Sequence, residues 1–191
     1  MSVVDLRSGS PFKEFALQYW ERGWYPLPLP PGEKAPPPQG FTGYHEPPSL
    51  EQIEAWLATE PDKANIGLRV PDGIIGIDVD AYSGKQGGAG LAELTEKFGA
   101  LPPAWTLSAR SDLISGIRFY RIPQGKHWPG EIAPDVQIVQ FRYRFAVAYP
   151  SMHPKLRKIY KWYPPGAPID GRNWTREIPD ITGLTGVRAA S

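Results

Sequence analysis

The stretch Gly73-Ile74-Ile75-Gly76-Ile77-Asp78-Val79-Asp80 decides how the rest of the chain is read. Its apolar, β-branched run predicts a buried strand. The run closes on two aspartates one residue apart. Side chains alternate faces along a strand, so Asp78 and Asp80 leave the same face, about 7 Å apart at their backbones. Carboxylates that close repel unless a cation lies between them or one is protonated. Hard oxygen ligands at the end of a strand suit Mg²⁺ or Mn²⁺. The competing reading is a strand that simply runs into the polar turn Asp80-Ala81-Tyr82-Ser83-Gly84.

Upstream, Pro71-Asp72-Gly73 turns the chain into this strand from a shorter one, Asn65-Ile66-Gly67-Leu68-Arg69. Ser10-Pro11 opens a first helix, with Phe12, Phe15, Ala16, Tyr19 and Trp20 at helical spacing and Gly23 as its stop. Trp24-Tyr25-Pro26-Leu27-Pro28-Leu29 reads as an edge strand, because its prolines cannot donate to a ladder. A proline-stiffened loop from Pro30 to Gly43 carries Lys34, which suits a phosphate or template contact or, more plainly, a solvated lysine. Ser49 and Gln52 form a capping box ahead of a second helix whose apolar face is Leu50, Ile53, Trp56 and Leu57.

Downstream, Ser83-Gly84-Lys85-Gln86-Gly87-Gly88 imitates a phosphate-binding P-loop and fails the pattern. Gln86 stands where the metal-binding Ser or Thr belongs, and Val79 where the first glycine belongs. The segment leads instead to a third helix with Leu91, Leu94 and Phe98 expected inward and Gly99 at its end. Trp105-Thr106-Leu107-Ser108 and Ser115-Gly116-Ile117-Arg118-Phe119-Tyr120-Arg121-Ile122 read as strands. Alternation in the second puts Ile117 and Phe119 on one face and Arg118 and Tyr120 on the other. An arginine on an open face beside acidic ligands would suit a triphosphate. Asp135 to Gln140 and Phe145 to Tyr149 are further strands, with Asp135 and Gln137 expected to share a face. From Phe141 to Ile169 there is no acid, while Arg142, Arg144, Lys155, Arg157, Lys158 and Lys161 alternate with aromatic residues. Local positive charge with interleaved rings is the footprint of a nucleic-acid backbone plus stacked bases, or of a hairpin with core aromatics and a solvated basic face.

The full chain has 191 residues, 41% of them hydrophobic, which suits one domain, or one domain with a small subdomain, with a real core. Its net charge of +1 gives no global signal for nucleic acid. The absence of cysteine excludes disulfides, thiolate metal sites and a cysteine nucleophile, and fits a reducing cytoplasm. No stretch reaches the length of a membrane span, and Met1 to Arg7 lacks the apolar segment of a signal peptide.

In this order the segments resemble the bifunctional DNA primase/polymerase, or prim-pol, domain of the archaeo-eukaryotic primase superfamily, of the actinobacterial and actinophage type. The resemblance rests on Tyr19 to Trp24 with Pro26, Lys34-Ala35-Pro36 with Gly40 to Gly43, and Ala64-Asn65-Ile66-Gly67. It continues through Ile77-Asp78-Val79-Asp80, Ser115 to Arg121, and Tyr149-Pro150-Ser151-Met152-His153 with Tyr160-Lys161-Trp162. It implies an α+β fold, with an RRM-like antiparallel catalytic sheet and flanking helices beside an N-terminal αβ module. The corresponding boundaries are a catalytic domain over 1–165, with the module at 10–72 and the sheet at 73–165, followed by a Pro/Gly-rich, polar tail at 166–191.

The resemblance further implies template-directed, two-metal nucleotidyl transfer from NTPs or dNTPs in phage, plasmid or bacterial replication. Asp78 and Asp80 match the paired metal ligands of the first motif. Ser115 and Arg118 fall on the second, where many relatives carry a histidine. The third motif usually supplies another carboxylate; Gln137 stands there, with Asp135 as the nearby substitute. Arg118, Ser115, Arg144, Ser151 and His153 are then expected to hold the nucleotide. Lys34, Arg142, Lys155, Arg157 and Lys158 are expected to follow single-stranded template and primer. Two Mg²⁺ or Mn²⁺ ions are the expected cofactors, and a replicative helicase is a further expected partner. The alternatives are a nucleotide- or single-strand-binding module that has lost catalysis, and a metal-dependent nuclease using the same acids.

Overall fold

The computed structural model describes residues 9–181 and 184. Its described residues build three helices and nine strands, arranged as two antiparallel sheets. Helix α1 (Pro11–Glu21) starts with proline in its first turn and stops where Gly23 takes φ 80°. Ser10 occupies the cap position but makes no side-chain cap bond; the Glu14 carboxylate instead accepts from the Ser10 amide at 3.1 Å. Helix α2 (Leu50–Thr59) is capped as its sequence predicts, Ser49 Oγ accepting from the Gln52 amide at 3.2 Å.

Strands β1 (Tyr25–Leu29) and β2 (Asn65–Arg69) pair from Tyr25↔Arg69 to Leu29↔Asn65. The proline-bearing β1 is the edge of a three-stranded sheet. The third strand comes from far along the chain: β8 (Ala146–Val147) pairs with β2 through Gly67↔Val147 and Leu68↔Ala146. Arg69 is buried within this sheet, which demands full hydrogen bonding of its guanidinium. It donates to the carbonyls of Phe41, Gly43, His45 and Glu46, and so ties down the long loop before α2.

The larger sheet is formed by β3 (Ile74–Val79), β4 (Thr106–Ser108), β5 (Gly116–Arg121), β6 (Glu131–Ala133), β7 (Val136–Gln140) and β9 (Lys161–Tyr163), in the order β6-β7-β3-β5-β4-β9. Residues opposed across antiparallel strands share a face. Gly76 lies opposite Phe119 and Val139, and Leu107 opposite Ile117 and Trp162, so one face presents an apolar surface to the smaller sheet. There Trp24 meets Phe119 edge-on at 5.2 Å and Trp162 at 6.0 Å. Tyr19 Oη donates to the Tyr149 carbonyl at 2.7 Å and accepts from Trp162 Nε1 at 2.9 Å, so the polar ends of these two rings are satisfied inside this core. The other face carries Ile75, Ile77, Val79, Val136 and Ile138 beneath helix α3 (Gly87–Phe98).

Three expectations change. Phe98 is 72% exposed at the end of α3, where it rims an apolar groove with Leu101 and Trp128, while Leu91 and Leu94 do pack inward. Strand β6 has no expected counterpart; only three residues long, it is too short to show alternation. The segment set apart as a tail supplies core residues: Ile169 and Ile178 are buried, Leu184 is buried, and Trp24 Nε1 donates to the Pro179 carbonyl at 3.1 Å.

Candidate active site

Asp78 sits in β3 between Ile117 of β5 and Gln137 of β7, on the face turned toward the smaller sheet. Asp80 follows on the same side, just past the strand end. Its amide donates to the Asp135 carbonyl at 3.0 Å, and its carbonyl accepts from the Gly87 amide at 2.9 Å. A Cβ at Gly87 would collide with both carbonyl oxygens, so only glycine lets α3 start this close to the acids. The two sheets part at this level and leave a cleft of about 220 Å³. Asp78, Asp80, Lys34, Arg110, His153 and Tyr160 all line it.

The electrostatics follow from that crowding. Burial, then the neighbouring Asp80 charge, pushes the Asp78 carboxyl up to about 6. A carboxylate pair in this state gains from any cation, which is what an ion site requires. Lys34 is pulled below its ordinary value by burial, against the opposing pull of Asp78 and Asp80. His153 Nδ1 accepts from the Lys155 and Leu156 amides, both at 3.2 Å, which places its proton on Nε2. Burial first, then Lys34 and Arg110, lowers its pKa to about 4, so the imidazole is a neutral donor at pH 7. Its ring stacks on Tyr160 at 5.7 Å. Arg110 lies over the Tyr82 ring with its guanidinium carbon 3.1 Å from the centroid.

One residue joins these parts. Asn65 is 1% exposed. Its amide nitrogen donates to the Glu33 carbonyl at 2.8 Å and the Met152 carbonyl at 2.9 Å, and its oxygen accepts from the Met152 amide at 2.9 Å. The neighbours of Lys34 and of His153 are therefore fixed by a single side chain.

The family model described as bifunctional DNA primase/polymerase, N-terminal (Prim-Pol) matches residues 16–180. The chain belongs to the Prim-Pol family. No curated protein matches it. Membership implies DNA primase/polymerase nucleotidyl transfer, with DNA and nucleotides as substrates. No helix among the described residues of this Prim-Pol domain is long and apolar enough to cross a membrane.

Within the Prim-Pol domain the expected site residues divide. Asp78, Asp80, Lys34, Ser115 and His153 come together at the cleft. Ser115 contributes mainly structure, since its hydroxyl accepts from the Ala81 amide at 3.1 Å. Lys155, Arg157 and Lys158 are exposed on the turn that follows His153. Arg142 is exposed on the turn after β7, 5.8 Å from the Tyr44 ring centroid, and does not line the cleft.

Three placements correct the sequence expectations. Arg118 pairs with Ile77 and Thr106 and therefore leaves the sheet on the face opposite Asp78. Its guanidinium donates to the Ile114 carbonyl at 2.7 Å and the Gly116 carbonyl at 3.3 Å. The β5 residue beside Asp78 is Ile117, so β5 sets an apolar side chain against the acid at that position. Ser151 is fully buried, and its hydroxyl accepts from the Ile66 amide at 2.7 Å; it joins β2 to the His153 segment and cannot reach a nucleotide. Asp135 takes φ 57°, which turns it out of the strand alternation shared by Gln137. Its carboxylate accepts from Lys85 Nζ at 2.6 Å and the Gln86 amide at 2.8 Å, closing the start of α3 and leaving it no role as the third acid.

Gln137 does share the face of Asp78, but its oxygen accepts from Arg144. Among the described residues no group of three or more His, Cys, Asp or Glu is placed to hold a metal ion. Two carboxylates, Asp78 and Asp80, line the cleft, a donor set suited to a divalent ion, and Gln137 beside Asp78 is uncharged. Sequence reasoning passed over Arg110 and Tyr82. Both sit in polar turns whose local pattern carries no signal; Tyr82 follows Asp80 by two residues, and the pairing of β4 with β5 brings Arg110 to it.

Proposed function

We propose that the cleft binds a nucleoside triphosphate on a divalent ion held by Asp78 and Asp80, for template-directed nucleotidyl transfer. The observation that carries this reading is the convergence of those two carboxylates with Lys34, Arg110 and the neutral His153 in one cleft. Mg²⁺ or Mn²⁺ held there would neutralise the triphosphate and favour attack by a primer 3′-hydroxyl. The chain's own groups supply the rest. Lys34 and Arg110 meet phosphate oxygens with fixed charge. His153 Nε2–H donates to a phosphate or sugar oxygen without adding charge. Tyr82 and Tyr160 back the donors with their rings, Tyr82 beneath Arg110 and Tyr160 against His153. Lys155, Arg157 and Lys158, on the turn beyond His153, follow the backbone of single-stranded template and primer. The two-sheet α+β architecture is consistent with the archaeo-eukaryotic primase fold, and its larger sheet with an RRM-like catalytic sheet.

The test is extension of a primed template with dNTPs and Mn²⁺ or Mg²⁺. Extension by the wild type, lost in EDTA and in Asp78→Asn, is the expected result. No extension by the wild type, or equal extension by Asp78→Asn, overturns it. Gln137 and Ile117 beside Asp78 favour one second reading: a nucleotide- and single-strand-binding module with weakened or lost catalysis. That reading is marked by dNTP binding in calorimetry with no extension product.

A further inference from the structure

The flank of Asp78 away from the cleft is built differently from the cleft itself. Across β3, the cleft side is formed by β5 and β4, and the other side by β7, where Gln137 stands opposite Asp78. The chain leaves β7 through a tight turn closed by two backbone bonds between Gln140 and Tyr143, at 3.0 and 2.9 Å. The turn brings Arg144 back alongside its own strand, with φ 63°, and its guanidinium donates to the Gln137 side-chain oxygen. Tyr143 supports it, the guanidinium carbon lying 5.5 Å from the ring centroid. Gln137 stands opposite Asp78 across the β3–β7 ladder, so the guanidinium that it holds lies on the flank of the acid pair.

We propose that this site takes a single divalent ion, and that the Arg144 guanidinium, held by Gln137, stands in for a second. The inference rests on the reading of Asp78 and Asp80 as ion ligands. A dication on the β7 flank would need an oxygen from residue 137, and that oxygen is already committed to a cation. It would also lie close to a fixed positive charge whose hydrogen-bond partner, Gln137, carries no charge to neutralise it. A carboxylate at 137 would instead balance Arg144 or, with Arg144 absent, ligate the ion. The consequence for chemistry is asymmetric. A guanidinium holds phosphate oxygens well by charge and hydrogen bonds. It does not lower the pKa of a bound hydroxyl as a dication does. Nucleotide binding is retained at this site, and activation of the attacking hydroxyl is the step that suffers.

Manganese binding to the full chain, followed by the free-ion electron paramagnetic resonance signal, separates the possibilities without any turnover. The wild type is expected to bind one Mn²⁺ and Gln137→Asp/Arg144→Asn two. Asparagine is chosen because it tolerates the left-handed backbone at 144. Arg144→Asn alone is expected to bind one ion about three- to tenfold more tightly, through removal of a nearby like charge. Arg144 is exposed and Gln137 partly so, which leaves the core untouched in these variants. If the double variant does not fold, the affinity change in Arg144→Asn decides. Two ions in the wild type, or unchanged affinity in Arg144→Asn, overturns the inference and leaves the nucleotide site standing. No ion in the wild type removes the ligand role of Asp78 and Asp80, and this inference falls with it.

Discussion

Replacing Asn65 by alanine tests whether the cleft is assembled by one buried amide. The wild-type side chain makes three hydrogen bonds, to Glu33 and to both backbone groups of Met152. Each is worth about 1 kcal/mol net, and more where the abandoned partner stays dry. Asn65→Ala should therefore cost about 3 kcal/mol. At roughly 2–4 °C per kcal/mol for a domain of this size, the melting temperature falls by roughly 6–12 °C. The loss also frees the segments that carry Lys34 and His153. Affinity for dATP with Mn²⁺ should then drop by about tenfold beyond any unfolding, because two of its contacts must be ordered on binding. Melting by circular dichroism and titration calorimetry well below the transition measure the two effects separately. Asn65→Asp keeps the acceptor for the Met152 amide but turns a carboxylate oxygen against the Glu33 and Met152 carbonyls in a buried site, and should cost at least as much as alanine. A melting temperature within about 2 °C of wild type would refute the energetic argument. A full drop in stability with unchanged dATP affinity would refute the positioning argument.

Arg110→Ala should weaken dATP binding by about fivefold, a loss of one phosphate contact. Arg118→Ala should lower the melting temperature and leave dATP affinity unchanged; the paired titrations check which arginine faces the nucleotide. In EDTA, Asp78 makes the protein less stable as pH rises. Its carboxyl is pushed up to about 6, so the stability it lends when protonated is present below about pH 4 and lost as pH passes through about 6. The full shift corresponds to about 3 kcal/mol at most, and Asp78→Asn should flatten this dependence in denaturant melts across pH 4–7.5. Gly87→Ala should destabilise the fold by about 1–3 kcal/mol, since its Cβ must displace the Asp80 or Asp135 carbonyl. Chemical denaturation and Mn²⁺ titration of the same variant check that the acids move with the backbone.

Much of the architecture could be read from local pattern. The capping box at Ser49 and Gln52, the stop at Gly23 and the prolines of an edge strand are short-range signals, and each element formed where they place it. The acid pair was legible for the same reason, because two-residue alternation is a property of β3 alone. The misplaced residues all needed information from a second segment. Arg118 was placed on the right face of its own strand, but which face met Asp78 depended on the register between β3 and β5, and that register opposes Asp78 to Ile117. Ser151 looks like a ligand until β2 offers it an amide in the interior. Asp135 fits the alternation of β7 until its positive φ and the start of α3 turn it aside. Arg110 was invisible because cation and ring, Arg110 and Tyr82, lie on separate loops.

The two residues of β8 have a consequence for handling this molecule. They cross from the part of the chain that follows the larger sheet's β7 and complete the small sheet begun by β1 and β2. The two halves of the polypeptide are consequently stitched through each other rather than laid end to end. A cut between residues 72 and 73 would leave the first fragment with a bare sheet edge at β2 and the second with an orphaned strand. Mixing the two fragments should restore the fold by complementation, whereas neither should hold its shape when purified alone.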